Sequence, residues 1–271
     1  MLLLNDHLLP SAVLPLPNRG LAFGDGFFET LVWAEGCLRY AGHHVARMHQ
    51  AAAALHLDLP EALATPAALS TTLARLTTAN ELPAARLRLQ LWRAGGGRYT
   101  PPTPAAEWLA TAEPFTPDTT SVERADFARE NYALPSPLSF CKGPQAWLYV
   151  RAAHERQQRG LDEIILCTVA GEVAEAGAAA VFWLQDNELF TPALASGCVA
   201  GVRRAHLLSV AAQHGVACHE GLFPASALLR ADAVFTANVA ALKLIRQVGT
   251  QRLPATLPPL WAALQRWEQP G

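Results

Sequence analysis

Two lysines are the only side-chain amines that this chain offers for covalent chemistry. Of 21 lysine and arginine residues, only Lys142 and Lys243 are lysines. Lys142 lies between an apolar segment and a Gly-Pro break, where desolvation lowers the pKa of an amine and makes it nucleophilic toward an aldehyde. A solvated loop lysine is the alternative for Lys142. Lys243 follows a predicted strand on a predicted helical turn, and a surface charge is the simpler interpretation of it.

A carboxylate and a glycine-bearing turn could complete a ligand site. Glu175 has small neighbours in residues 171–177, so a flat ligand could approach closely and pair a protonated ring nitrogen with the carboxylate. Residues 191–204 place glycines at the start of a predicted helix, where backbone amides and the helix dipole bind phosphate. The alternative for Glu175 is a glutamate on a surface turn, and the alternative for residues 191–204 is a helix start that binds no ligand.

Arg93 and Arg98 flank three glycines at the end of a predicted strand. Exposed amides and two guanidinium groups at such a place could hold a carboxylate, although a flexible hairpin with solvated arginines fits equally well. His43, His44 and His49 share the first predicted helix, but their spacing does not suit a metal site. We interpret these histidines as surface or capping residues.

Hydrophobic periodicity predicts the elements that carry these residues. The alternating or buried patterns predict strands over 2–5, 28–33, 86–91, 108–111, 163–168, 179–184 and 233–237. The 3.6-residue pattern predicts helices over 43–55, 67–79, 147–159, 204–214 and 224–229. Residues 113–121 have the composition of a linker. We therefore predict an α+β (mixed α/β) class, with a smaller domain over 1–115, a linker over 116–126 and a larger domain over 127–271.

Composition limits the partners and the compartment. The chain of 271 residues is 51% hydrophobic and 16% charged, with a net charge of -2, so a nucleic-acid partner is not expected. No apolar run approaches the ~18 residues of a membrane span or has the form of a signal peptide. The five cysteines lie far apart without CxxC spacing, which favours reduced thiols and a cytoplasmic location without membrane attachment.

Taken in order, these segments resemble the fold-type IV (class IV) family of pyridoxal phosphate enzymes. This family includes branched-chain aminotransferases, D-amino acid aminotransferases and 4-amino-4-deoxychorismate lyases. The resemblance spans nearly the whole chain, through residues 19–30, 44–48, 142, 173–175, 191–204 and 231–238. It implies a two-domain fold like that of D-amino acid aminotransferase, with pyridoxal 5'-phosphate bound by the C-terminal domain, and a homodimer.

The resemblance also implies roles for individual residues. Lys142 matches the lysine that carries the cofactor, and Glu175 the acid that pairs with the ring nitrogen. Arg47 matches the phosphate-binding arginine, and the phosphate-binding turn falls on Gly201, Val202 and Arg203. Asn238 and Val239, at the end of the last active-site strand, complete the set of cofactor-binding residues. Lys243 is then left as a surface charge.

Three features favour the lyase within this family. Residues 93–99 are similar to the lyase pattern Arg-Gly-x-Gly-Gly-Arg-Gly-Tyr, with one glycine missing before Tyr99. Phe28 stands where the lyase has phenylalanine and D-amino acid aminotransferases have tyrosine, and Asn238 also resembles the lyase. The prediction is conversion of 4-amino-4-deoxychorismate to 4-aminobenzoate and pyruvate in folate biosynthesis, with Phe28, Arg93 and Arg98 binding the substrate.

Departures from the family pattern keep two other functions open. Ala180 replaces a typical asparagine, Val239 a frequent threonine, and Gln145 an asparagine three residues after the lysine. An aminotransferase acting on branched-chain or D-amino acids would use the same cofactor residues. A catalytically idle scaffold that binds the cofactor is the third possibility.

Overall fold

The computed structural model describes residues 1–143 and 146–268, which form two compact units. The first unit contains residues 1–117 and 141–143, and the second contains 118–140 and 146–268. The chain passes between them after Pro117, within the linker predicted over 116–126. The segment that carries Lys142 belongs to the first unit although its sequence neighbours belong to the second, which the domain prediction did not include. Gln145 lies outside the described residues.

The first unit is a six-stranded antiparallel sheet with helices. Its strands are β1 (Leu2–Leu4), β2 (His7–Leu9), β3 (Gly26–Ala34), β4 (Cys37–Leu38), β5 (Ala85–Arg93) and β6 (Ala106–Pro114). Its helices are α1 (Arg19–Phe23), α2 (Ala41–Leu55) and α3 (Pro66–Ala79). The strands lie in the order β2-β1-β6-β5-β3-β4. Alternation on β5 buries Leu87, Leu89 and Leu91 and exposes Arg86 and Arg88, so one face of the sheet forms the core and the other is open.

Gly26 allows β3 and β5 to meet closely at the start of β3. A Cβ atom at this position would lie 2.1 Å from the carbonyl oxygen of Leu91, far inside van der Waals contact. Any other residue would push the two strands apart. Since Phe28 and Glu29 follow on the same strand, this glycine fixes where their side chains lie.

The second unit contains two five-stranded sheets and four helices. Its strands are β7 (Ala125–Ala133), β8 (Glu163–Thr168), β9 (Val173–Ala176), β10 (Ala180–Gln185), β11 (Glu188–Pro192), β12 (Cys218–Gly221), β13 (Ala233–Ala237), β14 (Leu242–Ile245), β15 (Gln247–Val248) and β16 (Gln251–Arg252). Its helices are α4 (Trp147–Gln158), α5 (Val202–Gln213), α6 (Ser226–Leu229) and α7 (Pro259–Trp267). The sheet orders are β12-β11-β10-β13-β14 and β16-β15-β7-β8-β9.

Strand β10 is buried on both faces and divides the core of the second unit. Val181 and Trp183 pack in one apolar cluster with residues of β8 and β9. Phe182 packs in another with residues of α5 and α7, and its ring stacks on Phe235 at 5.3 Å between centroids. Within residues 1–143 and 146–268, no helix is both long and apolar enough to cross a membrane. Together the two units confirm the predicted mixed α/β class.

The structure decides one open alternative, for Glu175, and corrects two local predictions, for Lys243 and His44. Glu175 lies on strand β9 rather than on a surface turn, because pairing with β8 overrides the weak strand preference of the alanine-rich segment. Lys243 lies on strand β14, not on a helical turn, and forms an ion pair with Asp118. His44 is fully buried rather than at the surface. Strand β7 also begins at Ala125, inside the predicted linker.

Candidate active site

Lys142 lies beside Phe28 within the first unit. Its backbone carbonyl accepts a hydrogen bond of 2.9 Å from the N–H of Phe28. The amine nitrogen of the half-buried Lys142 lies 5.9 Å from the centroid of the Phe28 ring. The beginning of β3 therefore positions the lysine segment, and the predicted catalytic amine and one predicted substrate-binding residue are neighbours.

A buried ionic network lies directly behind this segment. Glu29, 1% exposed, receives hydrogen bonds from His44 Nδ1 at 2.7 Å and from Arg47 Nε at 2.8 Å, and Arg47 Nη2 also donates to it. Burial by itself raises the pKa of Glu29, but the charge of Arg47 and the hydrogen bond from His44 lower it to about 2. Arg47 is 5% exposed. Glu29 thus fixes the orientation of the predicted phosphate-binding guanidinium.

Acid should therefore unfold this unit through Glu29. Its lowered pKa means that the stabilisation is present above the ordinary value of 4.5 and is lost as pH falls toward about 2. The shift corresponds to roughly 3 kcal/mol. Burial also lowers the pKa of His44 below 6.5, so protonation of the unfolded chain adds to the loss below that pH. Urea unfolding at pH 7, 5 and 3 measures how the free energy of unfolding declines. Between pH 5 and 3 this free energy should decline less in the variant Glu29→Gln than in the original protein. An equal decline in both proteins would contradict the role of Glu29.

Arg88 is a cation near Lys142 that sequence reasoning missed. Its guanidinium carbon lies 3.4 Å from the centroid of the Phe28 ring, a cation–π contact. Partial burial and the neighbouring charge of Arg86 lower the pKa of Arg88. The alternation of arginine with leucine along β5 was the available signal, because it placed these arginines on the face away from the core.

Arg93, a predicted substrate-binding residue, is buried within the first unit. It is 5% exposed, and each of its five N–H groups has an acceptor. Two donate to the carboxylate of Asp25, and three to the carbonyl oxygens of Leu55, His56 and Thr103. Burial raises the pKa of Asp25, but Arg93 and Arg19 outweigh it and lower the pKa overall. Arg93 therefore holds neighbouring loops together, whereas the side chain of Arg98 is exposed.

Glu175 is a buried carboxylate on the edge strand β9 of the second unit. It is 4% exposed. The hydroxyl of Tyr149 donates to its Oε1 at 2.7 Å, and the backbone N–H of Val199 donates to its Oε2 at 3.2 Å. Two donors on separate elements therefore hold the two oxygens. Tyr149 was missed in the sequence because α4 reaches β9 only after folding.

The predicted phosphate turn leads into helix α5 of the second unit. Gly197, with φ of +85°, lies so close to Leu134 that a Cβ atom would come within 2.9 Å of its backbone, so this position requires glycine. Helix α5 begins at Val202, with Gly201 as its N-cap and no side-chain cap. The N–H groups of its first turn have no acceptor within the helix, and they carry the positive end of the helix dipole.

The side chain of Arg203 joins this turn to the one that contains Asn238. Arg203 binds both carboxylate oxygens of Glu268, at 2.9 and 2.5 Å, and donates to the backbone carbonyl of Asn238 at 3.1 Å. Asn238 Oδ1 accepts the N–H groups that follow at residues 240 and 241. Val239 is 7% exposed. The structure therefore brings together the predicted residues of the second unit, while Lys142, Arg47 and Phe28 lie in the first.

A model of the amino-transferase class IV family matches residues 26–248. The chain belongs to the class IV aminotransferase family. This confirms the resemblance found in the motifs, and with it the fold-type IV class, the enzymatic nature of the chain and the pyridoxal phosphate dependence of its family.

Relatives of this class IV chain include both lyases and aminotransferases. An aminodeoxychorismate lyase of Vibrio harveyi is 26% identical over 244 residues, covering 85% of each chain. A D-alanine aminotransferase of Listeria innocua is 24% identical over 249 residues, covering 87% of this chain and 83% of the relative. The solved 4-amino-4-deoxychorismate lyase of Pseudomonas aeruginosa superimposes with a TM-score of 0.85 and 26% identity, covering 98% of this chain and 97% of that one.

The residues of the class IV chain fit the family cofactor chemically. Glu175 is a buried carboxylate, the partner that a protonated ring nitrogen needs. The amides at the start of α5 in the second unit are donors of the kind that a phosphate needs. The fixed guanidinium of Arg47 in the first unit is another such donor. Lys142 supplies the amine. No feature of this donor set opposes the binding of pyridoxal phosphate.

Proposed function

We propose that this chain is a pyridoxal phosphate-dependent lyase that converts 4-amino-4-deoxychorismate to 4-aminobenzoate and pyruvate in folate biosynthesis. The observation that carries the proposal is the position of Phe28 next to the amine of Lys142. At this position phenylalanine is the residue of the lyase pattern and tyrosine that of D-amino acid aminotransferases. Similarity to the lyases of Vibrio harveyi and Pseudomonas aeruginosa supports the same conclusion.

Lys142 and Glu175 each have a defined task in this reaction. Bound pyridoxal phosphate supplies an electron sink for the carbon that loses a proton. Lys142 Nζ would hold the cofactor, and its free amine would remove the proton from ring carbon C4 of the substrate. The bond between the ring carbon and the enolpyruvyl oxygen then breaks, the ring becomes aromatic, and the released enol takes up a proton to become pyruvate. Glu175 holds the proton on the ring nitrogen of the cofactor, which keeps the sink effective.

We assign the phosphate to the donors that the family motifs indicate. Arg47 contributes a charge that Glu29 orients. Gly201, Val202 and Arg203 contribute the start of α5, with Arg203 acting through its backbone because its side chain binds Glu268. Asn238 and Val239 contribute the turn after β13, where the backbone amide of Val239 serves in place of a threonine hydroxyl.

The substrate carboxylates are assigned to arginines on the Phe28 side. Phe28 offers an aromatic face to the substrate ring. Arg98 keeps the role predicted for it, since its side chain is exposed on the glycine loop. Arg88 takes the place of Arg93, because its guanidinium packs on Phe28 whereas every N–H of Arg93 is engaged.

A comparison of two substrates tests this function. With 4-amino-4-deoxychorismate we expect stoichiometric release of 4-aminobenzoate and pyruvate at a kcat of about 1 s⁻¹ or more. With D-alanine, or with a branched-chain amino acid and 2-oxoglutarate, we expect turnover slower by at least about 100-fold. Aromatic fluorescence follows 4-aminobenzoate, and a coupled dehydrogenase follows pyruvate. Rapid transamination without 4-aminobenzoate would establish the aminotransferase instead, and the absence of both reactions would favour the scaffold.

The aminotransferase is the second candidate, and the similarity to the Listeria innocua D-alanine aminotransferase favours it. Lys142 and Glu175 would serve it in the same way. The two reactions differ in where the proton is returned, since transamination places it on the carbon of the cofactor. The residues around Phe28 therefore decide between the two reactions.

We also propose a cytoplasmic homodimer. The family resemblance supports the dimer, and light scattering during size-exclusion chromatography measures it. All five cysteines are free thiols, as expected in a reducing compartment. Burial raises the pKa of the Cys167 thiol to about 11, which makes it a poor nucleophile at neutral pH.

A further inference from the structure

We infer that Tyr149 is a positioning residue that fixes the carboxylate of Glu175. Tyr149 lies in the first turn of α4, and its hydroxyl donates to Glu175 Oε1 at 2.7 Å. The motifs assigned a role to Glu175 but none to Tyr149. This inference rests on the proposed function, in which Glu175 faces the ring nitrogen of the cofactor.

The need for such a residue follows from the surroundings of Glu175. Its neighbours along β9, Ala174 and Ala176, are too small to hold a long side chain by packing. The terminal torsion of a glutamate is broad and has no strongly preferred angle. Hydrogen bonds therefore have to set the plane of the carboxylate. Tyr149 binds one oxygen and the backbone N–H of Val199 binds the other at 3.2 Å.

The same contact favours the charged carboxylate. Glu175 is 4% exposed, and burial of a carboxylate disfavours its charge, whereas donors that bind the charged form favour it. Tyr149 and Cys198 are titratable groups near Glu175 in this unit. Burial, and also the charge of Glu175, raise the pKa of the Cys198 thiol, so Cys198 is neutral at pH 7. Tyr149 is thus a hydroxyl donor that orients Glu175 and favours its charged form.

Replacement of Tyr149 by phenylalanine tests the contact in the full-length protein without cofactor. Phenylalanine keeps the ring and removes only the hydroxyl. In protein labelled with ¹³C at the glutamate side-chain carboxyl, the variant Glu175→Gln identifies the Glu175 resonance. We expect Tyr149→Phe to raise the titration midpoint of Glu175 by about one pH unit. The matched control is Tyr132→Phe, since Tyr132 Oη donates to the carbonyl of Arg129 instead, and it should leave the midpoint unchanged.

A second measurement adds the cofactor. We expect Tyr149→Phe to weaken binding of pyridoxal phosphate about tenfold, the equivalent of one pH unit, and to shift the pH dependence of the cofactor absorbance. If Tyr149 had a structural role alone, the variant would have a lower unfolding temperature. The midpoints of the Glu175 titration and of the pH dependence of the cofactor absorbance would not change.

The outcomes separate the two proposals. An unchanged Glu175 midpoint in the Tyr149→Phe protein would overturn the positioning role. A shifted midpoint with an unchanged cofactor spectrum and affinity would support that role, yet it would show that Glu175 does not face the ring nitrogen. In that case the proposed function would lose its electron-sink partner while the contact between Tyr149 and Glu175 would stand.

Discussion

Replacement of Lys142 by alanine is expected to abolish turnover, with a loss of about 10⁴-fold or more in kcat. The variant loses the amine that binds the cofactor and the base that removes the substrate proton. The absorbance of the bound cofactor near about 420 nm should disappear with it. Absorbance spectroscopy and single-turnover kinetics measure the two effects.

The chain contains its own matched control for this experiment. Lys243 is the only other lysine, and in the second unit it forms an ion pair with Asp118, which is exposed. Lys243→Ala should therefore keep both the absorbance band and the turnover. If Lys142→Ala retained the band, or if Lys243→Ala lost it, the assignment of the catalytic amine would be wrong.

Replacement of Glu29 by glutamine is expected to destabilise the first unit by about 3–5 kcal/mol. The side chain keeps its size but loses its charge, so the buried guanidinium of Arg47 loses the carboxylate of Glu29 and His44 faces an amide. Urea unfolding followed by tryptophan fluorescence measures the loss. Because Arg47 then loses its fixed orientation, the affinity for pyridoxal phosphate should fall as well.

A surface pair provides the comparison. Glu113 also pairs with an arginine, Arg86, but at 3.4 Å with both side chains more than half exposed, where ion pairs contribute little. Glu113→Gln should change the free energy of unfolding by less than about 0.5 kcal/mol. The double variant Glu29→Gln with Arg47→Met also removes the buried charge of Arg47 and should recover part of the stability, while the affinity for pyridoxal phosphate remains low. If Glu29→Gln and Glu113→Gln lowered the free energy of unfolding equally, the stabilising role of the buried network would be refuted.

Much of the architecture followed from periodicity. Strand β8 and strand β13 coincide with their predicted ranges, and helices α2 and α3 begin within two residues of theirs. These elements have long or strongly apolar patterns. Strands β9 and β11 were not predicted, because short segments rich in alanine or polar residues become strands only through pairing with neighbours.

The individual functions of charged residues were harder to predict. Arg93 and Arg88 are five residues apart on one strand, and sequence reasoning selected only Arg93 for substrate binding. The structure shows that the two side chains differ in burial and contacts. Arg93 is buried and donates to Asp25 and loop carbonyls, whereas Arg88 packs on Phe28. The sequence likewise predicted His44 to be a surface residue. Three histidines lie on the same helix, and their spacing does not show which of them faces a carboxylate.

The sequence by itself determined the family and indicated the candidate lysine and the candidate acid, because ordered motifs require particular residue types and spacings. The tertiary structure alone decided which groups surround them. Glu29, His44, Tyr149 and Arg88 come from elements distant in sequence, and hydrogen bonds and burial depend on distances in space. The scarcity of lysine therefore indicated where the chemistry could take place, and the fold showed what holds the neighbouring charges in position.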